Sequence, residues 1–89
     1  MCTMIARQIV IQGFARGKSD WFAVNQAYVS YDHPFKTPVD HSLNIDLVDE
    51  AQGPGARISV ELSPAAARSL VETILAVLAQ AEAGGFLEK

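Results

Sequence analysis

Both histidines of the chain follow an aspartate, as Asp32-His33 and Asp40-His41, eight residues apart, and they bracket a loop that contains Pro34 and Pro38. Imidazole is the commonest protein metal ligand, and a neighbouring carboxylate can fix its tautomer and orientation. A loop stiffened by two prolines can hold His33 and His41 at one end of a sheet, and Cys2 offers a third donor if the first strand begins nearby. Three protein donors with one open position is the arrangement of catalytic zinc sites, so the implied cofactor is a divalent transition metal. The spacing matches no named metal motif. The structural account of the same residues is a solvated loop in which Asp before His-Pro starts a turn.

A second constellation is acid–base. Asp46 and Glu61 fall at outward positions of two alternating strands. If those strands pair, the carboxylates lie near one another, and proximity in a half-buried pocket raises one pKa and suits proton transfer with His33 or His41. The catalytic set expected on this reading is His33, His41, Asp46 and Glu61. Outward acids on strands also serve simply to keep an exposed face polar.

The aromatic residues Trp21, Phe22, Tyr28, Tyr31 and Phe35 cluster in one strand and the loop after it. Trp21, Tyr28 and Tyr31 are the expected lining of a pocket for a flat or apolar ligand; core or dimer contacts are the commoner use of such side chains. Cys2 has a further reading, since removal of Met1 exposes an amine and a thiol together, a pair able to chelate metal or act as a nucleophile. Gly13-Phe-Ala-Arg-Gly-Lys-Ser19 approaches a phosphate-binding loop, but its glycines are one residue too close and a strand follows where a helix is required. It reads as a basic hairpin turn.

The elements that must position these groups are legible from periodicity. Residues 4–12 are β-branched and put Ile5, Ile9 and Ile11 on one face; 13–20 read as a hairpin loop; 21–32 read as a long strand. Residues 42–49 and 57–62 alternate cleanly, with Leu43, Ile45, Leu47, Ile58, Val60 and Leu62 inward. Ser63 as N-cap and Pro64 at the first helical position open a helix over 64–83, and Gly84-Gly85 closes it. The expected fold is α+β: a four-stranded antiparallel meander with one C-terminal helix packed on one face, as a single domain over 1–89. The other face mixes Asn44, Asp46, Ser59 and Glu61 with Val10, Val24, Tyr28 and Val48, and serves as a dimer interface, a pocket floor or a solvent face.

Eighty-nine residues with 49% hydrophobic and 19% charged residues can bury a core, but a small one. A net charge of −3 lacks the basic footprint of a nucleic-acid binder. One cysteine excludes an internal disulfide framework. The N-terminus lacks the pattern of a signal peptide, and no apolar stretch approaches the roughly 20 residues that span a bilayer. A cytoplasmic protein without nucleic-acid or membrane partners is expected.

The opening MCTMIARQIVI, the YDHP at 31–34 and the HSLNID at 41–46 together resemble a family of small actinobacterial proteins known only as a domain of unknown function. The resemblance covers nearly the whole chain. It implies a bacterial cytoplasmic protein, with some relatives set among genes for secondary metabolism, and it supplies no activity and no catalytic residues. The expectation is a small dimeric binding domain holding a small molecule or metal near the 32–41 loop. The runner-up is a compact enzyme, metal-dependent or using His and carboxylate as an isomerase or cyclase on a secondary metabolite. A ligand-free protein-interaction module is the third reading.

Overall fold

The structure is a computed structural model in which residues 5–18, 20–52 and 56–86 are described. Four strands, β1 (Ile5–Arg16), β2 (Trp21–Asp32), β3 (Ser42–Val48) and β4 (Arg57–Leu62), form one antiparallel sheet in sequence order. A 3₁₀ turn, Glu50–Gln52, lies between β3 and β4, and the helix α1 (Pro64–Ala83) follows β4. The fold is α+β.

The register sorts side chains into two faces, because successive residues of a strand point to opposite sides. One face carries the rows Ile5–Tyr31–Leu43–Leu62, Arg7–Val29–Ile45–Val60 and Ile9–Ala27–Leu47–Ile58. The other carries Ala6–Ser30–Asn44–Glu61, Gln8–Tyr28–Asp46–Ser59 and Val10–Gln26–Val48–Arg57. An apolar face and a polar face therefore lie back to back.

β1 runs past the expected hairpin boundary. The pairing skips from Val10 opposite Gln26 to Gly13 opposite Val24, so two residues of β1 oppose the single Asn25. Such a bulge inserts one residue, lets the strand continue to Arg16 and breaks the alternation that would have aligned Ile11 with Ile5 and Ile9. The loop shrinks to 17–20, closed by the Gly17 amide donating to the Asp20 carbonyl at 2.8 Å.

The helix begins where the sequence places it. Ser63 Oγ accepts from the Ala66 amide at 3.1 Å, Pro64 occupies the first turn, and Gly85 takes a φ of 76° beyond the last turn, a conformation that needs no Cβ. Only Ser63 separates β4 from α1, so the helix meets the apolar face at its β3–β4 side. Ala67, Leu70, Val71 and Ile74 line an open groove against Val29, Leu43, Ile45 and Leu62. No residue of α1 is buried. The buried apolar set among the described residues is Ala15, Val24, Ala27, Val48 and Ala56, all small. Asp49, 8% exposed, organises the β3–β4 turn: its carboxylate accepts from the Ala51 amide at 3.1 Å and Gln52 Nε2 at 2.6 Å. No described helix is long and apolar enough to cross a membrane.

Candidate functional site

The polar face and the loop 33–41 enclose a cleft of about 370 Å³, lined by Ser30, Asp32, His33, Pro34, Phe35, Asn44, Asp46, Arg57, Ser59, Val60 and Glu61. Its floor is polar because β2, β3 and β4 align Ser30, Asn44 and Glu61 in one row and place Asp46 and Ser59 in the next. Its wall is the loop, and Glu61 sets the position of that wall.

The Glu61 carboxylate reaches across from β4 and accepts four hydrogen bonds from the loop. Phe35 N–H donates to Oε2, while Lys36 N–H (2.9 Å), Thr37 N–H (3.0 Å) and Thr37 Oγ1 (3.1 Å) donate to Oε1. Three successive main-chain donors on one carboxylate form a concave anion seat, here filled by the protein's own side chain. The Phe35 amide above all, then that of Lys36, lowers the Glu61 pKa from 4.5 to about 2. The acid–base expectation was that proximity raises one pKa of the Asp46 and Glu61 pair; that of Glu61 moves the other way. Its proximity to Asp46 on one face is as expected, but the ionised carboxylate is a clamp on the loop and holds no proton to transfer near neutral pH.

Asp46 is also engaged. Arg57 donates to Oδ2 at 2.8 Å, and Ser59 Oγ donates to Oδ1. The ion pair is partly exposed, with 52% of the Arg57 side chain and 25% of the Asp46 side chain open to solvent. Arg57 thus presents a half-free guanidinium to the cleft. Periodicity does not mark it as a site residue: only the β3–β4 register, which puts it next to Asp46, gives it that place.

The loop brings the two histidines together, with ring centroids 4.6 Å apart and planes 30° from parallel. His41 in turn stacks on Tyr31 at 5.5 Å and 26°. This Tyr31–His41–His33 stack buttresses the base of the loop, and His33 Nδ1 lies 3.4 Å from the Asp40 carbonyl oxygen. His33 lines the cleft; His41 does not. Among the described residues no group of three His, Cys, Asp or Glu side chains is placed to hold a metal ion. Cys2, the third donor expected from the sequence, lies outside the described residues.

The three aromatic residues expected to line one pocket are dispersed. Tyr28 stands on the polar face, where its hydroxyl donates to Glu50; this bond, more than burial, raises the phenol pKa above 10.0. Tyr31 is on the apolar face beside His41, and Trp21 borders a shallow depression at the opposite end of the sheet with Lys18 and Arg57. The aromatic lip of the cleft is Phe35, 95% exposed.

A four-stranded antiparallel sheet with one C-terminal helix, and a polar cleft between the sheet and a clamped loop, defines a small α+β domain. A family model described as a family of unknown function, DUF6295, matches residues 1–87. The chain belongs to the DUF6295 family. No curated protein and no solved structure matches it.

Proposed function

We propose that this protein is a small binding domain of the cytoplasm that holds a polar, metabolite-sized molecule in the cleft between the 33–37 loop and the polar face of the sheet. The observation that carries this reading is the Glu61 clamp. By fixing three consecutive loop amides from β4, it keeps the cleft open and shaped without a ligand, and preorganisation of this kind reduces the ordering cost of binding. A volume of about 370 Å³ falls at the small end of ligand sites. Arg57 supplies a donor fork, Asp46 an acceptor, and Ser30, Asn44 and His33 adaptable partners. The ligand class that fits carries an acidic group for Arg57 and hydroxyl or amine donors for Asp46. The secondary-metabolism setting that the resemblance implies agrees with such a ligand.

Binding is favoured over catalysis because the three carboxylates that line the cleft all have protein partners, Glu61 in the loop, Asp46 in Arg57 and Ser59, and Asp32 in the His33 amide. The test is a titration of the isotopically labelled full chain with small hydroxy acids and amino acids, with zinc in a separate arm. Shifts confined to the amides of Ser30, Asn44 and Ser59, and lost in Arg57→Ala, support the reading. Shifts elsewhere, or none from any acid, overturn it. Zinc shifts centred on His33 and His41 transfer the site to the two imidazoles.

A further inference from the structure

The apolar face of the sheet and the apolar stripe of α1 are both left bare, and the amount left bare is too large for a chain that works alone. A compact monomer of 9.6 kDa exposes about 5,100 Å² by the scaling of surface with mass. This chain exposes 7070 Å², about 2,000 Å² more than that scaling gives. Its radius of gyration is 14.8 Å, where a compact domain of its length has about 12 Å.

Part of this excess gathers on one side of the molecule, although Val10 on the polar face, Phe35 at the cleft and Phe86 beyond the helix are exposed as well. On β1, Ile5 and Ile9 of the apolar face are 62% and 56% exposed; on α1, Ile74, Leu75, Val77 and Leu78 are 48%, 60%, 58% and 48% exposed. From Val77 round to Leu75 the apolar residues of the helix span about 160° of its circumference, at about 100° per residue. Its own sheet can meet only part of so wide an arc. One surface thus offers both an unfilled groove and an unpacked ridge.

We infer that this surface is the interface of an obligate homodimer, in which the helix of each chain lies over the apolar face of the other. The second copy is the occupant that the area supports. The excess of about 2,000 Å² per chain sets an upper bound of about 4,000 Å² in total; burying half of it already reaches about 2,000 Å², the lower end of obligate homodimers and above the roughly 1,600 Å² of a standard-size complex. A two-fold interface requires a self-complementary patch, and a ridge beside a groove of matching apolar character is one. The charges disfavour a lipid surface: α1 carries Arg68 against Glu72 and Glu82, the reverse of the basic polar face that interfacial helices present. This interface lies on the opposite side of the sheet from the polar cleft, so the inference does not rest on the proposed function. It leaves one cleft facing outward on each chain.

The test is sedimentation equilibrium and thermal unfolding of the untagged full chain over a hundredfold concentration range, with Leu75→Glu as the variant. A mass of twice 9.6 kDa and a Tm that climbs with concentration are expected. Leu75 is 60% exposed and does not line the chain's own groove, so a glutamate there is harmless to a monomer. In the dimer it places a charge in the interface, and either dissociation or loss of folding supports the inference. A monomeric mass at the highest concentration overturns it, as does a Leu75→Glu chain that keeps both the dimer mass and the wild-type Tm. A monomer captured by anionic vesicles overturns it in favour of a lipid surface.

Discussion

Replacing Glu61 by glutamine removes the charge and one acceptor of the loop clamp while keeping the side chain's size. In the wild type Oε1 accepts from Lys36 N–H, Thr37 N–H and Thr37 Oγ1, and Oε2 accepts from Phe35 N–H. A glutamine oriented to keep the first group turns its amide nitrogen, itself a donor, against the Phe35 N–H. One loop hydrogen bond is lost and two donors oppose each other, a worse outcome than simple deletion. The linkage to pH gives the magnitude. Glu61 has its pKa lowered from 4.5 to about 2, so it is charged in the folded chain at pH values where the unfolded chain has taken up a proton. Its stabilisation is therefore complete above about pH 4.5 and is lost as pH falls towards 2. One proton difference changes the unfolding constant by at most about tenfold per pH unit in that window, less where solvent screens the carboxylate. The assay is urea unfolding at stepped pH, with amide exchange of Phe35, Lys36 and Thr37 followed by NMR. The wild type should lose stability below pH 4.5 more steeply than Glu61→Gln, and the three amides should exchange faster in the variant at neutral pH. Equal slopes for the two proteins between pH 4.5 and 2, or unchanged protection of those amides, would refute the clamp.

Two further outcomes follow from single hydrogen bonds. Ser63→Ala removes the side-chain acceptor of the Ala66 amide at the start of α1 and should cost about 1 kcal/mol, read as a lower urea midpoint with an unchanged m-value; Ser63→Asp, which keeps an acceptor there, should keep most of the wild-type stability. Tyr28 should ionise above 10.0 in a spectrophotometric titration because its hydroxyl donates to Glu50. The bond's contribution, full below about pH 10, should disappear as pH rises through the higher folded value, and Glu50→Gln should bring the titration down towards the ordinary phenol range.

Local patterning determined the elements with little ambiguity where one physical signal dominated. Strict alternation in 42–49 and 57–62 announced β3 and β4, and the Ser63-Pro64 start with the Gly84-Gly85 stop marked the bounds of α1, because a cap and a left-handed turn are properties of a few adjacent residues. The β1–β2 hairpin was less legible. Gly13 reads as the start of a loop, whereas the bulge just before it, visible only once β1 has a partner, returns Gly13 to the ladder opposite Val24 and carries the strand on to Arg16. The proximity of His33 and His41 was also within reach of the sequence, since two prolines and a short loop limit where the rings can go. Their stacking on Tyr31 depends on which face each strand end presents.

The roles of the acidic residues were decided by the tertiary structure alone. Parity placed Asp46 and Glu61 on one face, but parity says nothing about the third element that comes down onto that face. The loop amides of Phe35, Lys36 and Thr37, 24 to 26 residues away in the chain, reach Glu61 and turn an apparent acid–base group into an anchor. Arg57 acquires its partner in the same way, through a register that pairs β3 with β4. The helix makes the same point about packing. Its apolar stripe is written in the sequence, while how much of that stripe its own sheet covers depends on where a one-residue connection allows the helix to lie. Periodicity fixes which atoms seek burial; only the assembled chain determines whether there is enough surface of its own to bury them against.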